Sequence, residues 1–117
     1  MLKKVNLTVD GAPVSTPMLA TGTTAIRYKS VFRRDLLTDI GAMDKSGTLD
    51  YATVARLAYV MAMQAAHADM SALSDDTFMN WLDTLDGDAI LTAAPEIIGA
   101  YLSSRATTVA PKNAVAQ

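Results

Sequence analysis

The chain has 117 residues, enough for one domain with a real core and too few for a second folded unit of ordinary size. Half of it is hydrophobic and only 6% is aromatic, a mix dominated by Ala, Leu, Val, Ile and Met that suits helices better than a β-sandwich. Without cysteine there is no disulfide framework, no thiolate nucleophile and no cysteine-ligated zinc, and an intracellular setting is expected. The formal charge is −2, yet six of the ten basic residues precede position 35 and eleven of the twelve acids lie between Asp35 and Glu96. Such a dipole can orient subunits or steer a basic partner, and segregated solvated faces would look the same.

Met1-Leu2-Lys3-Lys4 leads into alternating polar and apolar residues, so the unbroken apolar core of a signal peptide is missing. The longest apolar-rich stretch, Val54 to Ala66, contains Arg56 and Gln64 and is too short to cross a bilayer, so a soluble, unexported chain without a membrane partner is expected. Val5-Asn6-Leu7-Thr8-Val9 alternates as a strand does, and Asp10-Gly11 is a pair that tight hairpin turns favour. The second arm, Ala12 to Leu19, carries Pro13 and Pro17, which cannot donate to a ladder, and is expected to be only partly paired. Ala20 to Thr24 reads as a joint in which Thr23 or Thr24 caps the next helix.

Tyr28, Phe32, Leu36 and Ile40 recur every four residues, which predicts one amphipathic helix over Ala25–Ile40, stopped by Gly41. Arg27, Lys29, Arg33 and Arg34 fill the rest of its surface, either as a solvated basic face or against phosphates. Asp50 is placed to cap a central, mostly buried helix over Tyr51–Ala66. Ser74 caps a shorter one carrying Phe78, Trp81, Leu82 and Leu85, with Trp81 as its anchor to the core. The last helix follows Asp86-Gly87-Asp88 and holds Ile90, Leu91, Ile97, Ile98, Tyr101 and Leu102, with a kink or break expected at Pro95. Beyond it the sequence turns small and aperiodic. The expected fold is therefore mainly α: a single domain over residues 1–104, with a β-hairpin arm (1–19), a helical core of four to five helices (23–104) and a flexible tail (105–117).

Chemistry-bearing constellations are sparse. Asp44-Lys45-Ser46-Gly47-Thr48-Leu49-Asp50 looks like the start of a calcium loop, but counting from Asp44 puts Gly at position 4 and Ala55 at position 12, where such a loop needs Gly at 6 and Glu at 12. His67, the single histidine, has no second His, Cys or adjacent Glu to complete a metal set. Asp83, Asp86 and Asp88 have no nucleophile or phosphate-cradling Gly loop nearby, and turn formation explains them. No catalytic residue, metal or cofactor is expected. Met61, Met63, Met70 and Met79 cluster around the central helices, either as core filling or as an adaptable binding surface.

A β-forming N-terminus is followed by Asp35-Leu36-Leu37-Thr38-Asp39-Ile40, Val54-Ala55-Arg56-Leu57-Ala58-Tyr59-Val60-Met61-Ala62, Phe78-Met79-Asn80-Trp81-Leu82-Asp83 and a helix ending Ala100-Tyr101-Leu102. This order, over roughly residues 1–104, resembles the tail assembly chaperones of long-tailed bacteriophages. The resemblance implies a non-enzymatic helper in the host bacterial cytoplasm that keeps the tape measure protein soluble, recruits tail tube subunits and leaves the finished virion. It also implies a longer frameshifted product, and Pro111-Lys112-Asn113 can be encoded by the slippery heptamer A-AAA-AAC. On this reading Tyr59, Met63 and Trp81 present apolar surface to the tape measure protein, and a homo-oligomer forms by strand addition at the hairpin, through Val5, Leu7, Val9 and Val14. The rivals are a structural adaptor or minor tail protein retained in the virion and a small helical nucleic-acid-binding regulator, which the acidic remainder of the chain disfavours.

Overall fold

Strand β1 (Leu2–Val9) and strand β2 (Ala12–Leu19) form an antiparallel hairpin whose register runs from Val9 opposite Ala12 to Leu2 opposite Leu19. The computed structural model that gives this register describes residues 2–115, and the side chains of residues 2–104. Asp10 and Gly11 both take positive φ, 50° and 80°, the backbone that lets a two-residue loop match the twist of its strands. The second arm is paired throughout, contrary to the expectation from its prolines, and strand parity gives the reason. In a two-residue hairpin the closing pair is hydrogen-bonded and bonded pairs then alternate. Pro13 opposite Thr8 and Pro17 opposite Lys4 both fall on non-bonded pairs, so their missing N–H groups face away from β1.

Helix α1 (Thr24–Phe32) ends at Arg33, which adopts a left-handed φ of 58°. Helix α2 (Leu36–Ser46) restarts at Asp35, whose carboxylate accepts from the Thr38 N–H, and ends at Gly47 with φ 69°. The single helix expected over Ala25–Ile40 is thus two helices, and Gly41 lies inside α2 rather than at a stop. The apolar spacing was the same on both sides of the break; the N-cap at Asp35 and the side-chain network below decide against continuing.

Helix α3 (Tyr51–Ala65) is the centre of the molecule and packs against β2, α1 and α5, with Leu57, Ala58, Val60 and Met61 fully buried. Burial of each large side chain contributes about 1.5–3 kcal/mol. Asp50 is its N-cap residue, but the carboxylate accepts from the Thr53 hydroxyl rather than from the backbone. Beyond Ala65 the chain turns through His67 at φ 55°, with the Ala68 N–H bonded to the Met63 carbonyl and the His67 N–H to Gln64.

A 3-10 turn (Met70–Ala72) leads to helix α4 (Asp75–Leu82), which Ser74 caps in a reciprocal box with Thr77. Helix α5 (Ala89–Val115) runs unbroken past Pro95. Leu91, whose carbonyl loses its donor to that proline, is exposed as Pro95 is, so water can take the unpaired group. The α5 backbone also continues over residues 106–115, where the composition is aperiodic; the expected flexibility of 105–117 concerns motion, which helix bounds do not decide, and residues 116–117 lie outside the described residues.

The core gathers Val5, Leu7 and Met18 from the hairpin, Tyr28 from α1, Leu36 from α2, most of α3, Phe78 from α4, and Ile90 and Ile97 from α5. The protein is therefore mainly α, with five α-helices and an N-terminal β-hairpin among the described residues. Among the described residues no helix is long and apolar enough to cross a membrane.

Candidate partner-binding surfaces

Charged side chains are drawn together where α1, α2 and α3 meet. The Tyr28 hydroxyl donates to Asp39 Oδ2 at 2.8 Å and accepts from Arg56 Nε at 3.0 Å. Arg34 reaches the same carboxylate with two bonds, Nε to Oδ2 at 2.9 Å and Nη2 to Oδ1 at 2.8 Å, and Arg56 Nη2 lies 3.8 Å from Oδ2. Arg56 also donates to Thr53, which donates to Asp50. The Arg34 bonds, with help from Tyr28, hold the Asp39 carboxyl below the usual carboxylate range, against the opposing effect of its burial. Burial pushes the Tyr28 phenol up. Two cations, one phenol and one carboxylate satisfy one another here, which makes the cluster a clamp between three helices. It also shows why Arg56 is tolerated in so apolar a helix.

Tyr59, Met63 and Trp81 fall on the other side of α3. Tyr59 is 2% exposed and belongs to the core, with its hydroxyl donating to Thr77 at 2.8 Å. Its ring meets Phe78 and Trp81 with centroids 5.4 Å apart in each case, and Phe32 at 6.2 Å. Trp81 and Met63 are half-buried against the same core. Trp81 and Tyr59 therefore touch, and what they form is an aromatic cluster that fixes α4 to α3. In the hairpin, Val5 and Leu7 are buried in their own protomer's core, Val9 is half-buried and Val14 is exposed.

Exposed apolar side chains also gather elsewhere. A groove of about 340 Å³ opens between the C-terminal part of α2, the α2–α3 loop and α5, lined mainly by Ile40, Met43, Leu49, Ile98 and Leu102, with Asp44 at its rim. Leu49 and Leu102 are 46% and 40% exposed. Sequence reasoning missed this groove because Leu49 sits in a loop and Ile98 and Leu102 read as ordinary core positions of the last helix. It also missed Asp86, whose carboxylate accepts from the Asp10 and Gly11 N–H groups at 2.7 and 2.8 Å while its own N–H donates to the Thr8 carbonyl. That residue latches the hairpin turn onto the α4–α5 loop.

The class that fold and surface define is a small mainly α protein with an N-terminal hairpin and an open apolar groove. No known protein family, no curated protein and no solved structure matches the chain.

Proposed function

We propose that this protein is a non-enzymatic tail assembly chaperone of a long-tailed phage or prophage, which holds the tape measure protein in soluble form and helps recruit tail tube subunits. The order of elements supports the reading: a β-hairpin followed by a helical core, the order on which the resemblance rests, although the segment Tyr28–Ile40 that it takes as one helix is divided between two. The groove between α2 and α5 supports it, because an amphipathic helix binds by laying an apolar face into such a slot. Tyr59 serves this function from within, as the packing partner of Trp81, and Leu49 and Leu102 make the contact with the tape measure helix.

The test is co-expression with the tape measure protein from the same phage genome. Wild type raises the soluble fraction of that protein, and Leu49→Asp or Leu102→Asp abolishes the effect without unfolding the chaperone. A tape measure protein whose solubility is the same with and without this chain refutes the proposal.

A further inference from the structure

Where the end of α3 meets the start of α1 a pocket of about 350 Å³ opens, with Thr21, Thr23, Arg27, Gln64 and His67 as its polar lining. The hydroxyls there form a directed chain. Gln64, 7% exposed, donates from Nε2 to Thr21 Oγ1 at 3.1 Å, and the Thr23 N–H donates to the same oxygen at 3.2 Å. Both lone pairs of Thr21 Oγ1 are then used, so its own proton goes to Thr23 Oγ1, 3.1 Å away. Thr23 Oγ1 also accepts from Arg27 Nε at 3.0 Å. Its lone pairs are filled in turn, and its proton is left without an acceptor among the described residues. Arg27 is in the same position: only its Nε is bonded, and among the described residues no acid pairs with it. Asp69, the acid nearest in sequence to His67, is taken up by the N–H and hydroxyl of Ser71. His67 adds a ring N–H, and it carries that ring at a left-handed φ of 55°, where glycine would be held at less cost. The pocket thus presents unused donors and a guanidinium, with no carboxylate in its lining.

We propose that this pocket binds the phosphate group of a small phosphomonoester. The two Nη groups of Arg27 take two phosphate oxygens side by side, and the Thr23 hydroxyl and the His67 ring take the third. A carboxylate has only two oxygens, which the Arg27 fork would occupy by itself, so the additional donors select phosphate. Leu19 and Met70 also line the pocket and give the organic part of the ligand an apolar surface, in a volume at the lower end of those that small-molecule sites have. Thr21, Thr23 and His67 are exposed and Arg27 is half-buried, so a ligand enters without any opening of the core. The site is separate from the groove between α2 and α5 and does not depend on the chaperone function.

Backbone amide NMR on the full chain, titrated with phenyl phosphate, inorganic phosphate and benzoate at constant ionic strength, tests this. The expected result is a saturable shift of the Thr23, Arg27 and His67 signals by phenyl phosphate, which binds about three- to tenfold more tightly than either other probe. Arg27→Gln weakens that binding about tenfold or more. Lys29→Gln removes the same charge from an exposed position of α1 outside the pocket and changes it less than about twofold. Thr23→Val and His67→Gly each weaken it about three- to tenfold, and His67→Gly does so while the fold becomes more stable, which separates lost binding from unfolding. Shifts that do not saturate overturn the proposal, as do equal losses for Arg27→Gln and Lys29→Gln. Benzoate binding as tightly as phenyl phosphate overturns the choice of phosphate, and inorganic phosphate doing so overturns the monoester.

Discussion

Replacing Asp39 with Ala removes the anion at the centre of the α1–α2–α3 clamp. Three hydrogen bonds end on this carboxylate, and it is only 8% exposed. They are not equal. Arg34 is half exposed, so its pair with Asp39 is screened by solvent and contributes the least of the three. The bond from the buried Tyr28 hydroxyl to an ionised acceptor contributes about 1.5–3 kcal/mol. Arg56, at 15% exposed, would also keep its charge with no anion nearby. Asp39→Ala should therefore cost about 3–4 kcal/mol, Tyr28→Phe about 1.5–3, and Arg34→Ala the least of the three. Urea unfolding followed by circular dichroism measures all three, with the midpoint falling and the slope unchanged. Equal losses for Arg34→Ala and Asp39→Ala would refute the argument, because the screened arginine would then be doing what is assigned here to the buried groups.

The same cluster sets a pH dependence. Asp39 has a lowered pKa in the folded state, so its contribution is complete above the unfolded value near 4 and is lost as pH falls through the folded one; Asp35 and Asp69, held down by Thr38 and Ser71, act in the same sense. Tyr28 has a raised pKa, so its contribution is complete below about pH 10 and is lost as pH rises further; melting temperatures across pH should show Tyr28→Phe flattening the alkaline limb and Asp39→Asn the acid limb. Asp86→Ala unlatches the hairpin turn, and hydrogen exchange at the Asp10 and Gly11 amides should accelerate while global stability falls by about 1–2 kcal/mol; unchanged exchange would mean that the turn holds itself. His67→Gly relieves a side chain held at positive φ and should raise stability by about 0.5–1 kcal/mol in the same urea assay.

The elements of this protein were largely legible in its residues. Alternation at Val5–Val9 with Asp10-Gly11, an apolar run over Tyr51–Ala65 and Ser74 ahead of Phe78 and Trp81 announce a hairpin and two helices because each signal is local, a matter of side-chain period, turn conformation or a cap within three residues. The break at Arg33 was not legible, since the four-residue spacing of Tyr28, Phe32, Leu36 and Ile40 fits one helix as well as two; Arg34 and Tyr28 meeting at Asp39 make the bent path the favourable one. Tyr59 looks the same in sequence whether it faces a partner or the core, and only its placement against Phe78 and Trp81 decided for the core. The open groove at Leu49 and Leu102 and the latch at Asp86 join residues tens of positions apart, and such long-range meetings are fixed by the packing of whole helices rather than by any local pattern. Composition and period thus determined which segments became strand or helix, while the tertiary structure decided which faces were used up in making one core and which were left exposed.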